Sequence, residues 1–221
     1  MAIAAVTGLE AEARIVRGMG IAAAASGGDS ARTAAVAERM LASGAAALVS
    51  FGIAGALAPG LGSGTLLLPR RILDEGGGAR AVDRAWHART RTALSARGIP
   101  AVEDDLLGAA LLVAVRAAKA ELHRRTGAVA IDLESAAAGA VAARFGRPFL
   151  VVRAVADPAD FDLPPAALVG IDAEGRTALL PVLGSILKGP GQIRDLVRLA
   201  RHTRRALAAL ARAAPALTEP R

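Results

Sequence analysis

Three acidic residues stand where the sequence predicts the end of a strand or the start of a helix. Glu12 follows the first predicted strand, Glu134 opens a predicted helix, and Asp157 ends the most hydrophobic predicted strand. A carboxyl group can transfer a proton or accept hydrogen bonds from hydroxyl groups. Open α/β sheets bind their ligands at such strand ends, so the chain could bring all three carboxylates to one edge of a sheet.

Alternating strand and helix patterns predict the elements that would position these residues. Apolar runs that end in turns predict strands at 3–6, 21–25, 45–51, 65–69, 106–112, 128–131 and 149–155. Apolar residues at helical spacing predict helices at 31–42, 85–97, 134–144 and 192–212. This alternation is typical of a three-layer α/β/α domain, for which we expect a mixed central sheet.

The uncharged segment 42–69 allows two interpretations. It is long enough for a membrane-spanning helix, for which about 20 apolar residues suffice. Its glycines and its proline instead favour two short buried strands around a glycine-rich loop, so we expect no membrane span. The residues that interrupt the apolar run are Gly52, Gly55, Pro59, Gly60, Gly62 and Gly64.

Composition limits the class of protein. The 221 residues, 53% hydrophobic and 21% charged, predict one globular domain over 1–221. The chain has no cysteine, which excludes disulfides and thiolate metal sites, and its three histidines are too scattered to predict a metal site. The N-terminus lacks the features of a signal peptide, so we expect a cytoplasmic protein.

The net charge of +7 comes almost wholly from arginine, because lysine occurs only at Lys119 and Lys188. A basic balance can indicate nucleic acid or an anionic membrane surface as partner. Aromatic residues make up only 2% of the chain, so stacking platforms are scarce and we expect no nucleic-acid partner. Biased codon usage, which inflates alanine and arginine throughout, explains the overall charge more simply.

Several short motifs follow one another over residues 1 to about 160. GLEAE at 8–12 is an acidic turn, SGG at 26–28 a second turn, and FGIAGAL at 51–57 a glycine-rich segment. AIDLESA follows at 130–136, and the apolar strand that ends in Asp157 completes the series. In this order the motifs resemble the superfamily of purine nucleoside phosphorylases and methylthioadenosine/S-adenosylhomocysteine nucleosidases, with a one-residue gap at Glu12 and Leu133 where the family usually has Met.

The resemblance implies cleavage of the N-glycosidic bond of a nucleoside, with Glu12 and Asp157 as catalytic residues. A purine that leaves a ribosyl carbon needs a proton, which Asp157 would supply at N7. Glu134 would accept hydrogen bonds from the ribose hydroxyls, and Glu12 would orient and deprotonate the attacking water. Taken singly, Glu134 could be a helix-N-terminal acid and Asp157 the start of a turn. The resemblance assigns substrate binding to Gly52, Ile53, Ala54, Gly55, Leu133 and Glu134.

The nucleophile is either water or phosphate. Phosphorylases of the resembled family bind phosphate with arginines and a serine of the glycine-rich loop, whereas Ser50 and Ile53 stand at the comparable positions here. This difference favours water. The arginines that could substitute are Arg14, Arg17, Arg32 and Arg153, and the turn at 27–28 could present backbone amides to an anion.

The C-terminal part, 161–221, resembles the hopanoid-associated branch of the superfamily. The resemblance lies in residues 157–160, 163–177 and 189–192. It implies removal of adenine from adenosylhopane, with the leucines of 163–187 as an apolar entry for the lipid. These leucines could equally belong to the core.

One face of the predicted helix 192–212 is basic. Its arginines, at spacings of four, three and four residues, are Arg194, Arg198, Arg201 and Arg205. Such a stripe normally faces solvent, and it could alternatively dock on anionic lipid headgroups at the inner membrane face.

The leading expectation is a homodimeric hydrolase of lipid-linked adenosine that needs no cofactor and no metal; the dimer rests on the resemblance alone. The nearest alternative is a phosphorylase or nucleosidase for a small soluble nucleoside such as methylthioadenosine. An accessory protein that binds a nucleoside or a membrane without catalysis is the alternative from a different class.

Overall fold

A computed structural model of the chain describes residues 2–168, 175 and 190–218. The strands in these ranges are β1 (Ile3–Thr7), β2 (Ala22–Ala25), β3 (Ala47–Ala56), β4 (Leu66–Leu67), β5 (Arg71–Asp74), β6 (Ala79–Ala81), β7 (Ala101–Val102), β8 (Leu106–Gly108), β9 (Ala130–Asp132) and β10 (Phe149–Asp157). The α-helices are α1 (Glu10–Arg17), α2 (Ser30–Ala42), α3 (Arg84–Ala96), α4 (Arg116–Thr126), α5 (Ser135–Arg144), α6 (Pro165–Leu168) and α7 (Ile193–Ala213). Short 3-10 turns lie at Pro190–Gln192 and Ala214–Leu217.

The strands form one mixed sheet with β3 near its centre. β3 pairs in parallel with β1 and β10, and its last two residues pair antiparallel with β9. Every residue of β10 is buried, as expected for a strand covered by helices on both faces. The three-layer α/β/α fold predicted from the sequence is confirmed, and it brings the ends of β3, β9 and β10 together.

The glycine-rich segment after Phe51 is strand rather than the predicted loop. β3 runs on through Gly52 and Gly55 to Ala56, because the parallel ladder with β10 continues from Arg153 opposite Gly52 to Asp157 opposite Gly55. The register shifts between Val155 and Asp157. The prediction treated glycine as a strand breaker, and the pairing with β10 overrides that local preference.

Other predicted bounds change by a few residues. The strand predicted at 106–112 ends at Gly108, and Leu111 and Leu112 beyond it are exposed. The strand predicted at 65–69 contracts to β4, and the helix predicted at 134–144 begins at Ser135. The helices predicted at 31–42, 85–97 and 192–212 agree with α2, α3 and α7 to within one residue at each end.

α7 packs against β10 at its apolar side and leaves its basic side exposed. Ala206, Ala209 and Leu210 are buried, whereas the four arginines of the predicted stripe are exposed. No helix within the described ranges is both long and apolar enough to cross a membrane. The predicted apolar entry at 163–187 lies largely outside the described residues.

Candidate active site

The fold brings the three predicted carboxylates to one sheet edge and buries all of them. Glu12 lies in the first turn of α1, Glu134 is the residue before α5, and Asp157 is the last residue of β10. Their exposed fractions are 1%, 5% and 7%. Burying a charged carboxylate costs free energy unless it has partners, so the contacts of each one define the site.

Glu12 is held in place by backbone N–H groups. The amides of Gly8 and Leu9 donate to Oε2 at 2.9 and 2.8 Å, and the amide of Ile53 donates to Oε1 at 2.8 Å. Burial raises the pKa of Glu12 above its ordinary value, against the opposing effects of Arg153 and of the three amides. Glu12 is therefore a fixed acceptor beside β3.

Arg153 lies under the same part of the sheet edge and is completely buried. Its Nη2 is 2.6 Å from Asp132 Oδ2, 2.9 Å from Glu134 Oε2 and 2.6 Å from Ser50 Oγ. One guanidinium thus serves two carboxylates directly, with a third, Glu12, nearby. We call these four charged residues, Glu12, Asp132, Glu134 and Arg153, the carboxylate cluster.

Glu134 holds a proton more readily than an ordinary glutamate. Its pKa is raised to about 7, chiefly by burial and further by the negative charges of Asp132 and Glu12, while Arg153 opposes the shift. Three carboxylates around one guanidinium leave an excess of negative charge, which a proton relieves. The site therefore takes up a proton near neutral pH.

Asp157 lies apart from the carboxylate cluster and has a different cation as partner. Its Oδ2 is 2.7 Å from Lys119 Nζ, whereas Oδ1 is buried without a hydrogen-bond partner among the described residues. Burial raises the pKa of Asp157 to about 6, although Lys119 acts in the opposite direction. No sequence motif contains Lys119, whose only signal is that it is one of two lysines among 27 basic residues.

Glycines on β3 let the acidic side chains approach the strand. A Cβ on Gly52 would lie 2.5 Å from Arg153 Nη1 and 2.6 Å from Glu12 Oε2, and one on Gly55 would lie 3.3 Å from Asp157 Oδ2. Three residues of extended strand span about 10 Å. β3 therefore separates Asp157 from the carboxylate cluster by roughly the length of a small ligand.

The other predicted binding residues lie between Gly52 and Gly55 on β3 or close to this part of the strand. Ile53 is half-buried and donates its amide to Glu12, and Ala54 is buried. Leu133 is half-buried, with its Cδ1 3.1 Å from the position of a Cβ on Gly28. The two predicted turns thus meet the motif that contains Glu134.

The first turn also contacts a residue of the C-terminal part. Gly175 is buried, and its carbonyl accepts a hydrogen bond from the Glu10 amide at 3.0 Å. Its φ of 73° and the 2.4 Å that would separate an added Cβ from the Gly8 carbonyl oxygen both require glycine. Gly175 therefore packs directly on the turn that holds Glu12.

The arginines considered as phosphate ligands have other partners. Arg153 belongs to the carboxylate cluster, Arg14 and Arg17 pair with Glu10, and the Arg32 Nε donates to the Ser26 carbonyl. Arg14, Arg17 and Arg32 are exposed.

A cleft of about 720 Å³ lies beside the residues that follow Asp157. Pro158 and Asp160 line it together with Arg116, Arg198 and Arg205. Among the aromatic side chains, Phe51 and Trp86 are buried in the core. Phe161 is buried as well, with an edge contact to His202 and the Arg198 guanidinium 5.1 Å from its ring.

Fold and site together define an α/β protein with buried carboxylates at the ends of β3, β9 and β10. The profile of the phosphorylase superfamily matches residues 14–178, well over half of the chain. The chain therefore belongs to the phosphorylase superfamily. The comparison with curated proteins gives no match.

Solved structures with the same fold include several nucleosidases. The 5′-methylthioadenosine/S-adenosylhomocysteine nucleosidase of Neisseria meningitidis, in complex with methylthio-immucillin-A, has a TM-score of 0.74 at 16% identity, covering 97% of each chain. The Helicobacter pylori nucleosidase of the same name has a TM-score of 0.73 at 14% identity, covering 97% of this chain and 96% of its own. The futalosine hydrolase of Helicobacter pylori has a TM-score of 0.68 at 15% identity over 96% of both chains. At this identity the likeness shows the fold.

Proposed function

We propose that the protein hydrolyses the N-glycosidic bond of an adenine nucleoside. The observation that carries the proposal is Asp157, a buried acid whose Oδ1 has no partner among the described residues and which contacts β3 three residues beyond the contact with the carboxylate cluster. Its pKa of about 6 allows it to hold a proton near neutral pH. Membership of the phosphorylase superfamily and the nucleosidases that share the fold support the same reaction class.

In the proposed reaction the bond between C1′ and the purine N9 breaks, and its electron pair passes to the purine. Asp157 donates a proton to N7, and a water molecule adds to C1′ while its proton passes to Glu12. The products are free adenine and the ribosyl compound, and proton exchange with solvent restores both acids. Glu134 accepts hydrogen bonds from the ribose hydroxyls, so that it fixes the sugar between the two proton-transfer groups.

Water is the proposed nucleophile because the carboxylate cluster disfavours phosphate. The cluster holds three carboxylates and one guanidinium, and Arg153 is already paired with Asp132 and Glu134. A phosphate dianion beside Glu12 would meet this excess of negative charge without a free cation of the cluster to bind it. A neutral water molecule avoids that repulsion.

The proposed substrate is adenosylhopane, which would yield adenine and ribosylhopane. The support is the resemblance of 157–160, 163–177 and 189–192 to the hopanoid-associated branch. The exposed basic side of α7 is compatible with a substrate that resides in an anionic membrane. By the same resemblance we expect a homodimer, which sedimentation of the purified protein would test.

The test is to incubate the protein with adenosylhopane in detergent and, separately, with methylthioadenosine, each with and without phosphate. Free adenine and the sugar product are quantified. Adenine and ribosylhopane without phosphate are the expected products. Release of adenine from methylthioadenosine alone would indicate an enzyme for small nucleosides instead. A ribose 1-phosphate product would indicate a phosphorylase. No release from either substrate would refute the proposal and favour an accessory protein.

A further inference from the structure

Lys119 is the one buried residue of helix α4. The other residues of the helix are half-buried or exposed, whereas Lys119 is completely buried. A buried lysine costs free energy unless its ammonium is fully paired, so an apolar side chain would be the ordinary choice at such a position. Its presence calls for a partner that requires a positive charge.

The ammonium of Lys119 has three acceptors for its three N–H donors. Nζ lies 2.7 Å from Asp157 Oδ2, 2.7 Å from the Phe161 carbonyl and 3.2 Å from the Pro158 carbonyl. Two of these acceptors belong to the segment that immediately follows Asp157. Lys119 therefore fixes both the carboxyl group and the backbone that continues from it.

The contact with Lys119 gives the two carboxyl oxygens of Asp157 different surroundings. Oδ2 is occupied by Lys119, and Oδ1 is buried without a partner among the described residues. Oδ1 is thus the oxygen left to meet a ligand. A positive charge on the opposite oxygen stabilises the carboxylate that remains after a proton has left.

We propose that Lys119 is a positioning residue for glycosidic-bond cleavage, which directs Asp157 Oδ1 toward the purine and stabilises the carboxylate formed when Asp157 gives up its proton. The inference rests on the proposed function. In the step itself, the O–H bond of Asp157 breaks and an N–H bond forms at the purine, while Lys119 keeps its own protons.

Few other charges act on Asp157. Asp162, which pairs with Arg116 of α4 at 2.9 Å, raises the pKa of Asp157. On the adjacent strand β3, the residue paired with Asp157 is the uncharged Gly55. Among the described residues, Lys119 is therefore the cation whose removal changes the acid strength of Asp157 most.

The test compares pH profiles of kcat/KM for adenine release by the wild type and by Lys119→Gln, Lys119→Met and Lys119→Arg. Lys119→Gln keeps N–H donors without the charge, and Lys119→Arg keeps the charge. Because Asp157 donates only when protonated, activity falls at high pH. Without the positive charge the pKa of Asp157 rises. The high-pH limb of the profile therefore moves to higher pH by about 1 unit in the Gln and Met variants. The plateau drops by up to about 10-fold because the acid is weaker.

Lys119→Arg is expected to keep the limb near its wild-type position, and Arg124→Gln, which removes an exposed charge on the same helix, is expected to leave the profile unchanged. An unshifted limb in Lys119→Gln and Lys119→Met would overturn the inference, since a merely structural role lowers the plateau alone. A wild type that releases no adenine would instead refute the proposed function.

A second readout does not depend on activity. The carboxyl ¹³C resonance of Asp157, assigned by its loss in Asp157→Asn, is titrated in the wild type and in Lys119→Gln. A higher midpoint in Lys119→Gln supports the inference, and equal midpoints contradict it.

Discussion

Glu134 and Asp157 are both buried acids at the sheet edge, but different cations balance them. Glu134 shares the Arg153 guanidinium with Asp132, whereas Asp157 is the one carboxylate that pairs with Lys119 among the described residues. Burial raises the pKa of each toward neutrality, to about 7 and about 6. The proposed mechanism uses this difference in environment, since Asp157 gives a proton to the base while Glu134 binds the sugar.

Glu12 is the proposed proton acceptor, and Glu12→Gln removes that capacity. The amide oxygen can still accept an N–H bond from the backbone, so we expect nucleoside binding to persist while kcat falls about 100-fold or more. The measurement is kcat and KM for adenine release. Glu10→Gln, on the same helix and paired with Arg17 outside the site, is the control and should retain activity. Full activity of Glu12→Gln would remove Glu12 from the mechanism.

The elements show how far local sequence signals predict this structure. Alternating apolar runs predicted the layers and the main helices, because burial of those residues dictates both. Gly52 and Gly55 were misread as loop, since only the partner strand β10 shows that they pair. Lys119 was missed because its partner Asp157 lies on another element, 38 positions along the chain, and no local pattern links the two.

Gly52→Ala tests the close approach that β3 provides. The added Cβ would lie 2.5 Å from Arg153 Nη1 and 2.6 Å from Glu12 Oε2, both of which are held by hydrogen bonds. We expect a loss of stability of about 1–3 kcal/mol and a larger relative loss of activity. Gly191→Ala, where a Cβ meets nothing within 4 Å, is the control. Wild-type melting and activity in Gly52→Ala would contradict the described packing.

The basic side of α7 either faces solvent or docks on lipid. If it docks, Arg198→Glu/Arg201→Glu abolishes co-sedimentation with vesicles that contain anionic lipid. Arg84→Glu/Arg91→Glu makes the same change of net charge on α3 and should leave co-sedimentation intact. Equal binding by both double variants, or no binding by the wild type, would leave α7 as a solvated helix.

At the scale of the whole molecule, the carboxylate cluster makes folding depend on pH. Glu134 binds a proton more tightly in the folded protein than in the unfolded chain, because its pKa rises from 4.5 to about 7. Its contribution to stability therefore falls as the pH rises from about 4.5 to about 7, and it stays level above. The carboxylate cluster thus reduces stability at neutral pH.

Glu134→Gln should remove this dependence. Between pH 4.5 and 7 the wild type is expected to lose stability relative to Glu134→Gln by on the order of 3 kcal/mol. Urea unfolding of both proteins at a series of pH values measures the difference. Glu121→Gln, which removes an exposed carboxylate, should show nearly the same pH dependence of the free energy of unfolding as the wild type. Parallel curves for Glu134→Gln would contradict the raised pKa of Glu134.

The most direct test of the central claim is the rate of adenine release from adenosylhopane by the wild type and by Asp157→Asn, in phosphate-free buffer at pH 6. The proposed mechanism predicts release by the wild type and a rate at least about 100-fold lower in Asp157→Asn, with nucleoside binding retained. Equal rates in the two proteins would contradict the role of Asp157 as the proton donor, and no release by the wild type would contradict the proposed hydrolysis of adenosylhopane itself.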